Sequence, residues 1–402
     1  MDSMRNKFNE GGKSRGSVPI LSFFTGGGFL DIGFVSAGFK IVWANEFNKV
    51  FANMYEFAIS SSEKFSRNKR ILKKINDRRS IEDIKHFEII KNAFPDGRPK
   101  LFGIIGGPPC PDFSNGGKHR GHEGDQGRLT QTFIDFICSI KPSFFVLENV
   151  HGLIKTEKHR IFVKTIETQL EEAGFNIDRK TLNSLNFGLA QDRERVFLIG
   201  IRREILDRCL NQKIKISERN WFPWPTSKKY SNAKHIYIWP TVNNNGTLPE
   251  KPNEIPDNLM VYSLLSNIPE DMPNAKEHFN PHSKKFKTVC EGDTSRKSFK
   301  RLHRYRFSPT ACYGNNEVHL HPWENRRLTV REVMRIQGVP DYYSLPVEAS
   351  LSSKFKMIAN GVPVPLSEEV AKSLYNFIKP LIENSGKHSG YLDKRKKKLC
   401  DV

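Results

Sequence analysis

The stretch "VPILSFFTGGGFLDIGFVSAGFKIVWANE", residues 18–46, decides the fold class. It begins with the apolar run "VPILSFF", which is typical of a short buried strand, and continues through the glycine turn "TGGG". The segment "FLDIGFVSAGF" has a helical pattern that Gly38 closes, and "KIVWANE" predicts a second strand that ends at Glu46. Strand, glycine loop, helix, strand and acid is the order of a nucleotide-type βαβ unit, in which the acid can bond a ribose diol.

The same alternation continues to about residue 201. Outward from the opening unit we predict a strand at 101–105, a helix at 128–140, a strand at 144–147, a helix at about 157–173 and a strand at 195–201. Strands that alternate with helices indicate an α/β domain with a largely parallel sheet.

The pattern changes after residue 201. Up to about residue 303 the chain is rich in Pro, Asn, Trp and Lys and has an irregular pattern, which indicates a separate module. Helical patterns return at 328–339 and 366–382. The predicted divisions are a flexible N-terminal tail (1–17), a first domain (18–200), the irregular module (201–303), a return to the first domain (304–382) and a basic C-terminal tail (383–402).

The charge balance indicates a polyanionic partner. The chain has 64 Lys and Arg against 44 Asp and Glu residues, a net charge of +20. The six cysteines are scattered, and neither an export segment nor an apolar run of membrane-spanning length is evident. We therefore expect free thiols in a soluble protein of the cytoplasm. His119 and His122 lack companion cysteines, so no metal site is predicted.

Cys110 stands in "GGPPCPDFS", residues 106–114, directly after a predicted strand. Pro109 and Pro111 restrict its backbone to a narrow, extended conformation. Ligands of open α/β sheets bind beyond the carboxyl ends of the strands, where this loop lies. A small buried hydrophobe is one interpretation of the cysteine, and a nucleophile activated by nearby positive charge is the other.

Three further charged residues follow predicted strands or begin them. Glu148 ends the apolar run "FFVL", and an acid at the mouth of an apolar sheet can have a raised pKa and donate a proton. Arg193 and Arg195, two residues apart in "QDRER", lie on one face of the next strand. They are either surface charges or cations that face the thiolate and an anionic substrate.

Taken in order, these segments closely resemble the cytosine-5 DNA methyltransferases. The resemblance also includes "RRLTVREVMRIQGVPD" (326–341) and "ANGVPVPL" (359–366), and it spans about residues 18–380. It implies a Rossmann-like domain that uses S-adenosylmethionine, and it places the 201–303 module in the position of a smaller, irregular target-recognition domain. The family commonly has an acid at the position of Ser22 and a glycine at the position of Phe29, so the chain departs from the family pattern at both.

The resemblance implies a role for each residue that carries it. Cys110 would attack carbon 6 of a cytosine flipped out of double-stranded DNA, Glu148 would hold or protonate ring nitrogen 3, and Arg195, helped by Arg193, would steady the base. Carbon 5 would then take the methyl group. The implied DNA contacts are Ser114 and Thr310, and the implied cofactor contacts are Phe24, Gly26, Gly28, Glu46, Asp83, Ile84, Pro109, Leu129 and Asn360.

The resemblance also implies a biological setting. We expect a sequence-specific bacterial modification enzyme that is a monomer, associates with the nucleoid and has a cognate restriction endonuclease as its functional partner. The loop at 114–127, which holds five glycines, would close over DNA. Two other functions stay open: methylation of cytosine in tRNA, and non-catalytic binding of DNA.

Overall fold

A computed structural model describes residues 17–109, 125–210, 219–244, 246–280, 283–296, 298–310 and 318–397. Cys110 and Ser114, two of the predicted site residues, lie outside the described residues, as does most of the predicted 114–127 loop.

The central element is one six-stranded sheet. Its strands are β1 (Pro19–Phe23), β2 (Lys40–Ala44), β3 (Gly103–Gly106), β4 (Phe144–Val150), β5 (Phe175–Asn183) and β6 (Glu194–Arg202). Their spatial order is β2-β1-β3-β4-β6-β5. The first four pair in parallel, whereas β6 runs antiparallel to both β4 and β5. The predicted α/β fold with a mostly parallel sheet is confirmed.

Helices connect the strands of the sheet, and further helices come after β6 along the chain. They are α1 (Phe29–Ala37), α2 (Lys49–Ser61), α3 (Glu63–Ser66), α4 (His86–Ala93), α5 (Asp125–Ile140), α6 (Glu157–Glu172), α7 (Arg203–Leu210), α8 (Ala233–Ile236), α9 (Val261–Leu265), α10 (Lys285–Thr288), α11 (Val330–Ile336), α12 (Leu351–Asn360) and α13 (Val364–Lys397). Short 3-10 turns occur at Ile81–Asp83, His151–Ile154, Ser184–Phe187 and Asp257–Leu259.

The helix α1 ends as the sequence predicts. Gly38 is its C-cap with a φ of 113°, a conformation that glycine adopts without steric cost. The predicted helices near 128–140, 157–173 and 328–339 correspond to α5, α6 and α11. The last helix continues past residue 382 to Lys397, so the backbone of the predicted C-terminal tail is largely helical.

The sheet is covered on both faces because its strands alternate two sets of apolar side chains. On β4, Phe144 and Val146 join one hydrophobic cluster with α1, α2, α11 and α13. Phe145 and Leu147 join the other cluster, with α5 and α6. A strand buried on both faces appears as a continuous apolar run, which is why "FFVL" carries no polar alternation.

Glycines in the neighbouring strands make room for the two phenylalanines of β4. A Cβ added at Gly103 of β3 would lie 2.1 Å from the Phe144 ring, and one added at Gly200 of β6 would lie 2.0 Å from the Phe145 ring. Any side chain at either glycine would displace a ring from the core. The spacing of β3, β4 and β6, which positions the site, therefore depends on these two residues.

The irregular module is built from short elements around small clusters. One cluster collects Tyr230, Trp239 and Phe307, and a second surrounds the pair β7 (Lys300–Arg301) and β8 (His319–Leu320). The module also contacts the rest of the chain. Trp221 packs against Phe377 of α13, and β7 pairs with β8, which lies past residue 303.

Candidate active site

The glycine loop between β1 and α1 has an unusual backbone. Phe24, Gly26 and Gly28 all have positive φ, at 53°, 55° and 74°. Gly28 is also the N-cap of α1, and a Cβ there would lie 2.4 Å from the Tyr55 ring. Both the left-handed conformation and the close approach require glycine at position 28.

Glu46 joins this loop to the end of β2. It is 8% exposed, and its Oε2 accepts the N–H of Gly26 at 2.8 Å while its Oε1 accepts the N–H of Asn48 at 2.7 Å. Burial raises the pKa of Glu46, and the two backbone hydrogen bonds oppose that shift. Each carboxylate oxygen retains capacity for a further hydrogen bond.

Two residues beside Glu46 were missed in the sequence. Phe47 is 67% exposed, which is unusual for an aromatic side chain directly after a buried strand. Asp77 is 8% exposed, and its carbonyl accepts the N–H of Glu46 at 3.2 Å. The position of Phe47 after the strand-ending acid was the available signal. No sequence signal marked Asp77, because its bridge to Asn45 joins residues that are far apart in the chain.

The other predicted cofactor contacts differ in how far they are buried. Ile84 is buried and Leu129 is partly buried in the cluster beneath α5. Asp83 is exposed in the 3-10 turn Ile81–Asp83, whereas the main-chain carbonyl of Asp77 accepts the N–H of Glu46. Pro109 is half-buried at the last described residue before Cys110, and Asn360 is the exposed last residue of α12.

Glu148 and Arg195 form a buried ion pair near the carboxyl end of β4. Glu148 Oε1 lies 2.9 Å from Arg195 Nε, and the two side chains are 8% and 9% exposed. The antiparallel register aligns Val150 with Arg195, which brings the arginine beside the acid. Burial raises the pKa of Glu148, while the charges of Arg195 and Arg193 lower it and limit the rise.

The segment that precedes Cys110 packs directly against this pair. A Cβ at Gly107 would lie 2.9 Å from Glu148 Oε2, so a side chain there would displace the Glu148 carboxylate. Gly107 follows β3, which pairs in parallel with β4. The chain therefore reaches Pro109, one residue before Cys110, from a position in contact with the acid.

Arg193 is fully buried and points to a different element. Its Nη2 donates to the carbonyls of Ala359 and Gly361, at 2.5 Å and 3.0 Å. These contacts hold the turn on either side of Asn360. A Cβ at Gly361 would lie 2.2 Å from the Phe29 ring, so Phe29 and Gly361 form a matched pair at this turn. Neither arginine is a surface charge, because both are buried.

Thr310 lies beside the start of β6. Its hydroxyl donates to the carbonyl of Asp192 at 2.7 Å, and the carboxylate of Asp192 pairs with Lys234 at 2.8 Å. Lys234 belongs to α8, so Asp192 links the irregular module to the residue before Arg193. The predicted DNA contact Thr310 is thus distant in sequence from the two arginines, but in the structure it contacts the residue directly before Arg193.

No helix in the described residues is long and apolar enough to cross a membrane. Those residues also contain no group of three or more His, Cys, Asp or Glu side chains that could hold a metal ion.

Residues 18–376 match the C-5 cytosine-specific DNA methylase family. The chain belongs to this family. The type II methyltransferase M.NmeDI of Neisseria meningitidis serogroup C is 37% identical over 373 residues, which cover 91% of this chain and 85% of the relative. M.FnuDI of Fusobacterium nucleatum, also a type II methyltransferase, is 32% identical over 89% of this chain and 94% of its own.

Solved structures agree on the fold of this methylase. The S. pombe Dnmt2 methyltransferase has a TM-score of 0.56 at 12% identity and covers 90% of this chain and 99% of its own. The Entamoeba histolytica methyltransferase EhMeth has the same TM-score and identity and covers 90% of this chain and 98% of its own. The family assignment identifies the chain as a DNA cytosine-5 methyltransferase that uses S-adenosylmethionine.

The residues of this methylase fit that cofactor. The buried Glu46 carboxylate, which already accepts two backbone N–H groups, can accept ribose hydroxyls with its remaining lone pairs. The exposed Phe47 ring offers a flat apolar face to an adenine. The glycine loop lets the backbone approach a ligand closely at Gly26.

Replacing Phe47 with alanine should weaken binding of S-adenosylmethionine by about tenfold, because stacking of a base on an aromatic ring is worth about 1–3 kcal/mol. Calorimetric titration gives the affinity. Phe57→Ala is the matched control, since Phe57 is an exposed phenylalanine of α2 outside the glycine loop. Equal losses in the two variants would show that Phe47 has no specific contact with the cofactor.

Proposed function

We propose that this methylase modifies cytosine in double-stranded DNA through a covalent bond between Cys110 and carbon 6 of a base flipped out of the helix. The observation that supports the proposal is the buried Glu148–Arg195 pair, 2.9 Å between charged atoms, with Gly107 packed against the acid. An acid with a raised pKa and a cysteine are the two groups that this chemistry needs, and Cys110 follows Gly107 by three residues in the sequence.

The first step makes carbon 5 nucleophilic. The Cys110 thiolate forms a bond to carbon 6, and the electron pair of the 5,6 double bond moves toward ring nitrogen 3. Protonated Glu148 donates its proton or a hydrogen bond to that nitrogen. The positive charge of Arg195 then faces the Glu148 carboxylate that remains, which stabilises the charge separated in this step.

The second step restores the aromatic base. S-adenosylmethionine supplies an electrophilic methyl group to carbon 5 when it is bound. The electron pair of the sulfur–methyl bond departs with the demethylated cofactor. Solvent water then takes the carbon 5 proton, whose bonding pair forms the 5,6 double bond again, while the carbon–sulfur bond breaks with its electron pair returning to Cys110. Ring nitrogen 3 returns its proton to the Glu148 carboxylate. Arg193 holds the turn around Asn360 during this sequence, since its guanidinium bonds both flanking carbonyls.

The reaction requires the target base to leave the duplex, because a stacked cytosine hides the ring face that the sulfur attacks. In this proposal the 114–127 loop closes over the DNA, and Ser114 and Thr310 contact it. The module at 201–303 selects the sequence through base-edge contacts, with lysines and arginines that bind phosphates. Phosphate contacts also fit the net charge of +20.

The names of the relatives suggest the setting. M.NmeDI and M.FnuDI are type II methyltransferases. We place this methylase in a bacterial restriction-modification system, as a cytoplasmic monomer that protects DNA from a cognate endonuclease.

A trapping experiment tests the covalent step. Duplex DNA with 5-fluorocytosine in place of cytosine should give a stable protein–DNA adduct in the presence of S-adenosylmethionine, because fluorine cannot leave as a proton does. The adduct is measured as a denaturation-resistant gel shift, with unsubstituted duplex as the control. Turnover of cytosine DNA without any adduct on the fluorinated duplex would reject the covalent mechanism.

Substrate class and sequence choice need a separate measurement. Labelled methyl groups should enter duplex DNA and not tRNA, and bisulfite sequencing of DNA from expressing cells should find methylcytosine in one shared flanking sequence. Equal or faster transfer to tRNA would overturn the choice of DNA. Methylcytosines without a shared sequence would overturn the recognition role of the 201–303 module.

A further inference from the structure

Asp31 is a buried carboxyl group that the proposed chemistry does not use. It is 1% exposed and lies in the first turn of α1, just after the glycine loop. Its Oδ1 accepts a hydrogen bond of 2.6 Å from the hydroxyl of Ser22, which is also 1% exposed and lies near the end of β1. A buried carboxyl facing a buried hydroxyl is a costly arrangement, which calls for a specific purpose.

The hydrogen bonds extend from Asp31 into the glycine loop with a fixed direction. The hydroxyl oxygens of Ser22 and Thr25 lie 3.2 Å apart. Since the single hydroxyl hydrogen of Ser22 is given to Asp31, the Thr25 hydroxyl must donate to Ser22. The result is a buried chain from Thr25 through Ser22 to Asp31.

The backbone of Thr25 is held at two further points. Its N–H donates to the carbonyl of Asn45 at 3.1 Å, and its carbonyl accepts the N–H of Gly28 at 2.8 Å. Its chain neighbours are Phe24 and Gly26, which both have positive φ. A positive φ is unfavourable for phenylalanine and persists only where the surroundings fix it.

We propose that Asp31, Ser22 and Thr25 are positioning residues for S-adenosylmethionine: their hydrogen-bonded chain fixes Thr25 and thereby holds Phe24 and the Gly26 N–H in the binding conformation. The Gly26 N–H is one of the two backbone groups that orient the Glu46 carboxylate. The inference rests on the placement of the cofactor at Phe24, Gly26 and Glu46, which is itself a prediction.

The side chain of Thr25 offers the cleanest test. Thr25→Val removes the hydroxyl and keeps the volume, and Thr25→Ser keeps the hydroxyl. Because a net hydrogen bond is worth about 1 kcal/mol, the dissociation constant for S-adenosylmethionine in calorimetry should rise about fivefold in Thr25→Val and stay near the wild-type value in Thr25→Ser. The kcat at saturating cofactor should be unchanged in both.

The other two members should behave as parts of one chain. Ser22→Ala should weaken cofactor binding to a similar extent, and the double variant with Thr25→Val should bind about as weakly as either single variant. Asp31→Asn retains an oxygen that accepts from Ser22, so it should rescue the affinity that Asp31→Ala loses. Independent, additive losses would contradict a connected chain.

Two controls separate the possible failures. Ser143→Ala removes a buried hydroxyl that donates to the Lys100 carbonyl at 3.0 Å, before the amino end of β4, so it tests general loss of stability. Glu46→Gln tests the cofactor placement directly. If Thr25→Val and Ser143→Ala have the same affinity while Glu46→Gln binds weakly, the positioning role is wrong. If Glu46→Gln also binds normally, the placement of the cofactor at this loop is wrong.

Discussion

Replacing Cys110 with alanine should reduce methyl transfer by at least about 10³-fold, the scale of loss seen when a nucleophile is removed. In the proposed mechanism the sulfur supplies the electron pair that makes carbon 5 nucleophilic, and a methyl side chain has no such pair. The binding of S-adenosylmethionine should persist, because Glu46 and the glycine loop do not depend on the thiol.

Cys138 provides a matched control for this variant. It lies on α5 and burial raises the pKa of its thiol to about 11, so it stays protonated at neutral pH. Burial has the same effect on Cys209. Since the thiolate is the nucleophilic form, neither cysteine can replace Cys110. Cys138→Ala should keep activity near the wild-type level.

The measurements are transfer of a labelled methyl group to DNA, adduct formation on 5-fluorocytosine DNA, and cofactor affinity by calorimetry. We expect Cys110→Ala to lose transfer and adduct and to keep cofactor affinity, which also shows that the variant is folded. Transfer by Cys110→Ala within about tenfold of wild type would exclude the covalent mechanism, since a nucleophile contributes far more than that.

Local sequence signals were sufficient for the first unit of the fold. The strand β1, the glycine loop, α1 and β2 are each marked by residues within the element or directly beside it, such as Gly38 at the end of α1. The strand β2 ends at Ala44, so Glu46 lies two residues beyond it rather than at its predicted last position. Short-range chemistry predicts short-range structure.

Elements that depend on distant partners were not predicted. The strand β5 and the antiparallel direction of β6 follow from pairing with each other and with β4, which no local pattern records. Helices α2, α3 and α4 were not predicted. Charged side chains interrupt the apolar pattern around α3 and α4, whereas α2 is mostly apolar and buries Phe51, Met54 and Tyr55. Tertiary packing stabilises these helices more than their intrinsic propensity does.

The site shows the same division. The sequence suggested Glu148 and Arg195 by residue type, but their 2.9 Å contact arises from the register between β4 and β6. Arg193 and Arg195 looked equivalent in "QDRER", and the structure separates them: Arg195 pairs with Glu148, whereas Arg193 bonds the carbonyls around Asn360. Alternation along a strand predicts a shared face, and it does not predict the partner of each side chain.

Replacing Glu148 with glutamine should lower kcat by about 10²- to 10³-fold, within the usual contribution of general acid catalysis. Glutamine is nearly isosteric, and its amide oxygen can still accept from Arg195 Nε, so the fold should be retained. It cannot transfer a proton to ring nitrogen 3. Glu194→Gln is the control, because Glu194 is an exposed glutamate on the same strand as Arg195. A kcat for Glu148→Gln within about threefold of wild type would exclude Glu148 as the acid.

The pH dependence gives a second, independent readout. Burial raises the pKa of Glu148 in the folded protein, so its protonated form persists to higher pH than for an exposed glutamate. As pH rises through that raised pKa, the proton donor is lost and kcat falls. The raised pKa also contributes to the free energy of unfolding. This contribution is fully present below the ordinary pKa of glutamate, and it is lost as the pH rises through the raised pKa of Glu148. Glu148→Gln should lack both effects, so its stability relative to wild type should improve as pH increases.

Arg195→Ala distinguishes a proton donor from a fixed negative charge. The guanidinium lowers the pKa of Glu148, so its removal leaves a buried acid whose pKa rises further. The fall in kcat with increasing pH should therefore move to higher pH in Arg195→Ala and be absent in Glu148→Gln. Loss of the buried partner should also cost about 3–5 kcal/mol of stability, which chemical denaturation measures. A pH profile of Arg195→Ala that does not move, in a variant that is folded, would show that the titrating group is not Glu148.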